Sequence, residues 1–202
     1  DFNNVLAAML GYSEILQEEL EEGSPLREDV DHILTAGRRA RDLIMQILTF
    51  SRMQELERAP LRLEHIIKET LKLLRSTIPT TIQVKENVYK SSLSVMADAT
   101  QMHQLLMNLC TNAYQAIGES PGTITVTLKP VTLSDAEAAA IADIGPGEYQ
   151  YLEVCDDGPG IPSEVIDRVF EPFFTTKGIG EGTGMGLATV LGIVQQHGAT
   201  SM

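Results

Sequence analysis

The first fifty residues carry two runs of apolar side chains at helical spacing. Steps of three and four residues separate the apolar positions of the first run, which are Phe2, Val5, Met9, Tyr12 and Leu16. Such spacing places these side chains on one face and predicts an amphipathic helix. After a Gly-Ser-Pro break at residues 23–25, a second helix is predicted, with a heptad-like seam at Leu26, Val30, Ile33, Gly37, Ala40, Ile44 and Ile47.

Two helices joined by a short turn form an antiparallel hairpin. One hairpin cannot bury two full apolar seams by itself. The pattern therefore predicts that two copies pair as a homodimeric four-helix bundle. The alternative is a hairpin that packs on the domain following it in the chain.

Beyond the hairpin, helical and strand periodicities alternate. Residues 54–60 lose the period and predict a hinge. The predicted helices are 61–74, a helix capped by Asp98 and ending near Ile117, 162–169 and 183–196, with a small helical insertion at 134–144. The predicted strands are 82–88, 93–96, 123–128 and 149–155. Together they predict an α+β fold: a hairpin of residues 1–54, then an α/β sandwich of residues 61–202 with helices on one face of a mixed sheet.

Charge and composition narrow the classes of partner. The chain has 202 residues and a formal net charge of -13, which argues against nucleic acid because phosphate neutralisation needs a basic face. No apolar run approaches the ~20 residues of a spanning helix, so membrane attachment is expected only through regions outside this chain. Cys110 and Cys155 lack CxxC spacing and predict buried free thiols, which fits a reducing cytoplasm.

Two asparagines are the first candidate ligands. Asn108 and Asn112 are four residues apart on the predicted helix and therefore project from one face. Amide oxygens there can ligate Mg²⁺ or position water around phosphates. An asparagine pair at this spacing that is merely exposed is the alternative.

A carboxylate followed by glycines is the second candidate. Asp156 ends a predicted strand and precedes Gly158 and Gly160, which let the backbone approach a flat ring closely. An ionised carboxylate only accepts hydrogen bonds, and adenine offers its N6 amine where guanine presents an acceptor. Such a carboxylate would select ATP over GTP. The alternative is a simple Asp-Gly turn, which Asp157 fits better.

The third candidate is a glycine-rich loop that leads into the last predicted helix. Gly180, Gly182, Gly184 and Gly186 can present backbone N–H groups and a helix N-terminus to phosphates. No GK[ST] follows, so this is not a Walker loop, and a flexible surface loop is the alternative. Residues 170–177 predict the start of a lid, with Phe173 and Phe174 as latches, although core packing explains both aromatic side chains equally well.

Four motifs follow in one order: NLCTN from Asn108, DDGPGIP from Asp156, FEPFFTTK from Phe170 and GEGTGMGL from Gly180. With them, the chain resembles the catalytic part of a two-component sensor histidine kinase, whose ATP-binding fold is shared with type II topoisomerases and mismatch-repair ATPases. The opening DFNN resembles the segment directly after the phospho-accepting histidine in kinases whose motif reads HDFNN. That histidine is absent, since the chain starts at Asp1.

The resemblance implies ATP and Mg²⁺ as ligands and a response-regulator receiver domain as partner. Asn112 would be the metal ligand and Asn108 a second candidate. Asp1 would be the base that activates the histidine, or else only a helix N-terminal acid, and Asn4 would orient water during dephosphorylation of the regulator. The implied nucleotide contacts are Asn108, Asn112, Asp156, Gly158, Gly160, Lys177, Gly182, Thr183, Gly184, Gly186 and Leu187.

Helical geometry gives the missing histidine a position. At 100° per residue, the seam of the first helix centres nearly opposite the position before Asp1, so a histidine there would face solvent. Asn4, Ala7 and Gly11 share that face, where a receiver or the kinase domain could dock. His32, His65, His103 and His197 are interpreted as structural or solvated.

The predicted function is the cytoplasmic catalytic core of a sensor histidine kinase. A catalytically dead, nucleotide-binding dimeric scaffold is the alternative, and the hairpin argues against an ATP-driven clamp. After His197 the chain reads GATSM, whereas the family usually continues through a Gly-Gly turn into further strands. The ATP-binding domain is accordingly expected to be truncated at its C-terminus or to expose a sheet edge.

Overall fold

The computed structural model describes residues 2–21, 23–51, 57–76, 78–91, 93–141, 144–177 and 182–200. In residues 2–4, 38, 39 and 41–51 it describes the backbone alone. The chain divides into two compact units. One consists of Asp1–Gln54 with Thr176–Thr183, and the other of Glu55–Thr175 with Gly184–Met202.

Two helices form the predicted hairpin, α1 (Phe2–Glu19) and α2 (Pro25–Ser51). Gly23 takes a positive φ of 85° in the turn, and the Arg27 guanidinium donates to the Leu20 carbonyl at 2.8 Å. The two helices pack through a small buried cluster of Leu10, Val30 and Leu34. A Cβ on Gly37 would lie 2.7 Å from Leu10 Cδ2, so the glycine lets the helices approach closely.

The predicted seam of α1 is not what packs inside the hairpin. Val5, Met9, Tyr12 and Leu16 are each at least half exposed, up to 72% for Tyr12. Leu10 and Ser13 are buried in their place. The hairpin therefore leaves a row of apolar side chains on its outer surface, which we call the outer face of α1.

The second unit contains the remaining helices and strands. In chain order they are β1 (Ala59–Leu61), α3 (Leu63–Leu74), β2 (Ile82–Val88), β3 (Val95–Ala97), α4 (Ala99–Ile117), β4 (Gly122–Leu133), α5 (Asp135–Ala139), β5 (Gly147–Asp156), a 3₁₀ turn at Ile166–Arg168 and α6 (Gly186–Gln196). β1 pairs antiparallel with β3. The other strands form a mixed sheet in the order β2-β4-β5.

β4 is the central strand of that sheet. It runs parallel to β2, from Ile82 opposite Gly122 to Val88 opposite Leu128, and antiparallel to β5. Ile124, Val126 and Leu128 alternate along β4 and are fully buried. They join one core cluster with residues of α3, α4 and α6, such as Ile67, Leu106 and Val190. The predicted α/β sandwich with a mixed sheet is confirmed.

Histidines join helices in this unit. Asp98 caps α4 as predicted, accepting from Gln101 N–H at 3.1 Å, and its own N–H donates to His197 Nε2 at 3.0 Å. His103 Nδ1 lies 2.6 Å from the hydroxyl of Thr70, which donates to the Ile66 carbonyl. Both histidines therefore hold one helix to another.

Several predicted elements differ from the structure; the insertion predicted at 134–144, for example, contains only the five-residue helix α5. Residues 59–61, within the predicted hinge and at the start of the predicted helix, form β1. Residues 162–169 form only the short 3₁₀ turn, because the backbone bonds run from Val165 N–H to Pro162 O and from Arg168 N–H to Val165 O, three residues apart. The last helix begins at Gly186 and not at residue 183, since Gly184 has a φ of +65° that no helix continues through.

The cysteine prediction is half right. Both thiols are free, but only Cys110 is buried, whereas Cys155 is exposed. Cys155 lies opposite Thr125 on β4, on the face away from Ile124 and Val126. Strand alternation thus turns its side chain from the core.

Candidate functional site

Helix α4 carries the asparagine pair on its partly exposed side. Asn108 and Asn112 are both half-buried, while Leu105, Leu106 and Cys110 of the same helix are in the core. Burial raises the pKa of the Cys110 thiol from 9.0 to about 11. Because the apolar face of α4 packs in the core, the amides of Asn108 and Asn112 project from the other side of the helix.

Asp156 ends β5 as predicted and holds the turn after it. One of its carboxylate oxygens, Oδ1, accepts from Gly158 N–H at 2.9 Å. Gly160 has a φ of +75°, which favours glycine. Asp156 is half-buried, so its carboxylate both shapes the turn and remains within reach of a ligand.

The neighbouring Asp157 has a different partner. Its Oδ1 accepts from Thr123 N–H at 2.8 Å, and its own N–H donates to Thr123 O at 3.3 Å. The side chain is thus used to join the end of β5 to the start of β4. The role of Thr123 was missed from the sequence, because this contact links residues far apart in the chain.

Gly158 packs directly on the last turns of α4. A Cβ at this position would lie 3.3 Å from Ala116 Cβ and 3.2 Å from its carbonyl carbon. Any larger residue would push the turn away from the helix. Ala116 was not singled out from the sequence, although it lies four residues after Asn112 and therefore on the same face.

Gly186, the first residue of α6, lies against Asn112. A Cβ there would come within 3.2 Å of Asn112 Nδ2 and 3.3 Å of its Oδ1. The sequence predicts both residues as ligands, and the fold makes them neighbours.

One face of α4 consequently brings three of the motifs together. Asn112 meets the start of α6, and Ala116, one helical turn later, meets the glycine turn after Asp156. A ligand lying across these residues would contact amide, carboxylate and backbone N–H groups at once.

A backbone hydrogen bond joins the motif that begins at Phe170 to the motif that begins at Gly180. Phe173 N–H donates to Gly184 O at 3.0 Å. Phe173 has a φ of 69°, and it alone among the described non-glycine residues has a positive φ. Its ring is 61% exposed, whereas the Phe174 ring is half-buried and lies 4.4 Å from the Arg168 guanidinium.

The roles of all the predicted site residues remain predictions, and several of these residues are not part of the α4 face described above. Asp1 lies outside the described residues, and Asn4 belongs to the first turn of α1, where only the backbone is described. Lys177, Gly182 and Thr183 group with the first unit, and Gly180 falls outside the described residues. Leu187 follows Gly186 in the first turn of α6 and is half-buried.

A separate groove of about 540 Å³ lies between α3 and β2, and none of the predicted ligands lines it. Its buried carboxylate is Glu64. Burial raises the pKa of that group, but hydrogen bonds from Arg62 and from backbone N–H groups, with the Arg62 charge, outweigh burial and leave the pKa below 4.5. Arg62 also donates to Ser91 O at 2.8 Å, so Glu64 and Arg62 fasten the chain before β3 to the start of α3.

The described residues contain neither a cluster of metal-ligating side chains nor a membrane-spanning helix. No three His, Cys, Asp or Glu side chains in this part of the chain come together as metal ligands. None of the helices, as far as they are described, is long and apolar enough to span a bilayer.

Two protein-family models match the chain. Residues 97–201 match the family described as histidine kinase-, DNA gyrase B-, and HSP90-like ATPase. Residues 1–56 match the family described as His Kinase A (phospho-acceptor) domain. The first match contains α4, the glycine turn after Asp156 and the start of α6.

Individual proteins are similar to the chain in sequence or in fold. The sensor kinase CckA of Brucella abortus (strain 2308) is 37% identical over 198 residues, which are 98% of this chain and 21% of that protein. The full-length ShkA structure in complex with AMPPNP aligns with 96% of this chain and 38% of its own, at 23% identity and a TM-score of 0.69. The histidine kinase ThkA in complex with the response regulator TrrA aligns with 86% of this chain and 48% of its own, at 25% identity and a TM-score of 0.57. The chain thus spans about a fifth of the curated relative.

Proposed function

The chain belongs to the histidine kinase-, DNA gyrase B-, and HSP90-like ATPase family, and on that premise we propose that it is the catalytic core of a sensor histidine kinase. The core binds Mg-ATP and transfers the γ-phosphoryl group to a histidine directly before Asp1. A response regulator then receives the phosphoryl group. The order of the two matched segments, phospho-acceptor first and ATPase second, supports this proposal.

The observation that carries the proposal is the convergence on α4. Gly158 packs against Ala116, and Gly186 packs against Asn112, one turn away on the same helix. Asp156 at the end of β5 would accept a hydrogen bond from the N6 amine of adenine, and the start of α6 would face the phosphates. The two contacts lie at neighbouring turns of α4, so the turn proposed for the base and the helix start proposed for the phosphates meet the same face of this helix.

The start of α6 fits the phosphate end. The N-terminus of a helix, with its backbone N–H groups and the positive end of the helix dipole, is a general site for anions, and α6 begins at Gly186 beside Asn112. Mg²⁺ usually binds through one or two protein ligands, substrate phosphates and water. Asn112, beside this helix start, would supply a protein ligand, and Asn108, one turn earlier on α4, is the candidate for a second.

The hairpin would supply the acceptor and the partners. Asp1 would act as the base beside the histidine, and Asn4 would orient water for dephosphorylation of a receiver domain. The outer face of α1 supports a homodimer, because Val5, Met9, Tyr12 and Leu16 would otherwise remain in water. We place this core in the cytoplasm, with any membrane anchor outside the chain.

The direct test is phosphorylation of a chain extended by one histidine before Asp1. Incubated with radiolabelled Mg-ATP, the extended chain should acquire a phosphoryl group that is labile in acid and stable in base, because phosphohistidine hydrolyses at low pH. Asn112→Ala should abolish the labelling. The parent chain without the added histidine is the control and should bind ATP without labelling.

Two outcomes would count against the proposal. An extended chain that binds ATP but is never labelled, alone or with a receiver domain, would favour a nucleotide-binding scaffold. Full labelling of the Asn112→Ala variant would remove Asn112 as the metal ligand.

A further inference from the structure

Phe173 adopts a backbone conformation that costs free energy and gains no burial for its ring. A φ of 69° is rare for a bulky side chain, because Cβ clashes with the backbone in the left-handed region. The ring is 61% exposed, so core packing does not offset this cost. Backbone strain of this kind persists where the surrounding structure requires it.

Gly184 provides the requirement. It also has a positive φ, +65°, and accepts the Phe173 N–H at 3.0 Å. A Cβ at Gly184 would lie 2.3 Å from the Phe173 carbonyl carbon and 2.6 Å from its oxygen. The two backbones are therefore in direct contact, and only glycine permits this approach.

The contact is two residues from the helix start that faces Asn112. Met185, directly after Gly184, is the N-cap residue of α6 and is only 2% exposed. Gly186 then lies against the Asn112 amide. A displacement of Gly184 would be passed through the buried Met185 to Gly186.

We infer that Phe173 and Gly184 form a backbone clasp that positions the start of α6 for the nucleotide phosphates. Phe173 acts through its φ and its N–H, not through its ring. This inference rests on the proposed function of the site. Phe173 is a positioning residue, and Gly184, which the family resemblance also implies as a nucleotide contact, would position the helix start in addition to that contact.

Two substitutions at Phe173 separate backbone from ring. Phe173→Gly removes the ring but adopts a positive φ freely, so its affinity for Mg-ATP should equal that of the parent. Phe173→Val also removes the ring but resists a positive φ, and its affinity should fall about tenfold. Tyr89→Val removes an aromatic ring of similar exposure, 59%, at a residue of ordinary φ outside the site, so it is the control and should bind as the parent does.

The measurements are calorimetric titration with Mg-ATP and the melting temperature without nucleotide. Gly184→Ala should weaken binding at least as much as Phe173→Val, and Phe173→Val keeps the test decisive if Gly184→Ala does not fold.

Equal losses in Phe173→Gly and Phe173→Val would assign the effect to the ring and overturn the clasp. A lower melting temperature with unchanged affinity would make the contact purely structural and also overturn it. If the parent does not bind ATP, the proposed function is wrong. If the parent binds ATP and every variant binds it equally well, only the clasp is wrong.

Discussion

Two consecutive carboxylates at the end of β5 have different partners and therefore different roles. Asp156 bonds within its own turn, to Gly158 N–H, and faces the proposed base-binding region. Asp157 accepts from Thr123 N–H at the start of the neighbouring strand, β4. Substitution of each should change a different measured quantity.

Asp156→Ala should weaken ATP binding and leave GTP binding almost unchanged. Loss of a charge-assisted hydrogen bond costs on the order of 1.5 to 3 kcal/mol, or roughly tenfold to over a hundredfold in affinity. Titration of the variant with both nucleotides checks this. Equal losses for ATP and GTP would mean that the carboxylate only holds the Gly158 turn.

Asp157→Ala is the matched comparison. It should lower the free energy of unfolding by about 0.5–1.5 kcal/mol, because the Thr123 N–H loses its partner, and should leave the preference for ATP intact. Urea denaturation measures the first effect and nucleotide titration the second. A change in base preference would show that Asp157 reads the base.

The buried Cys110 thiol should make the folded state less stable in alkali. Its folded pKa, about 11, lies above 9.0, so above pH 9 the unfolded chain binds fewer protons than the folded one. The contribution of the neutral buried thiol is complete below pH 9 and is lost between pH 9 and 11, by roughly 2–3 kcal/mol. Urea titrations of the parent and Cys110→Ala across this range should show a steeper decline for the parent. Parallel declines would contradict the prediction.

At the scale of elements, α6 contains two glycines in different surroundings. Gly186 lies against Asn112, whereas a Cβ on Gly192 would meet nothing within 4 Å. The same substitution in one helix can thus separate helix propensity from site geometry.

Gly192→Ala should raise the free energy of unfolding by about 0.5–1 kcal/mol and leave ATP binding unchanged, because alanine is the better helix former. Gly186→Ala gains the same propensity but presses on the Asn112 amide, and should weaken Mg-ATP binding by about threefold to tenfold. Thermal melts and titrations with and without Mg²⁺ measure both effects. Equal affinities of the two variants would separate Asn112 from the nucleotide site.

The hairpin tests the proposed dimer. Met9→Glu with Tyr12→Glu alters the outer face of α1 and spares the buried Leu10, Val30 and Leu34, so it should produce a monomer that keeps its helices. Leu34→Ala should instead reduce stability by about 2–5 kcal/mol in either state. Light scattering and circular dichroism separate the two results. A monomeric parent would exclude the dimer.

At the scale of the whole molecule, each unit has its own core. The cluster of Leu10, Val30 and Leu34 is confined to the hairpin, and the larger cluster runs from Leu63 to Ile193 in the second unit. We expect residues 57–202 alone to unfold cooperatively and to bind ATP, because none of the core residues of the second unit is removed. Calorimetry of this fragment tests the expectation, and a fragment without a cooperative transition would contradict it.

Local signals explain what was predictable from the sequence. The Asp98 cap, the α1–α2 turn and the alternation along β4 each depend on residues close together in the chain, and these predictions hold. The contacts of Gly158 with Ala116 and of Gly186 with Asn112 join distant segments and follow from no local pattern. The helix predicted at 162–169 failed because its apolar spacing did not reveal bonds spanning three residues. Leu10 was missed because two overlapping apolar faces run along α1, and spacing alone does not say which one the hairpin buries.

The parallel pairing of β2 with β4 has a consequence during synthesis. Ile82 pairs with Gly122, and 122 minus 82 is 40 residues, with all of α4 between them. A ribosome adding about 5–20 residues per second leaves β2 without this partner for roughly 2–8 seconds. In the same interval β5 has not been made, so the nascent chain carries an unpaired strand whose backbone can join another chain. Molecular chaperones that bind exposed strands would therefore act on the nascent chain in this interval, before the central strand emerges.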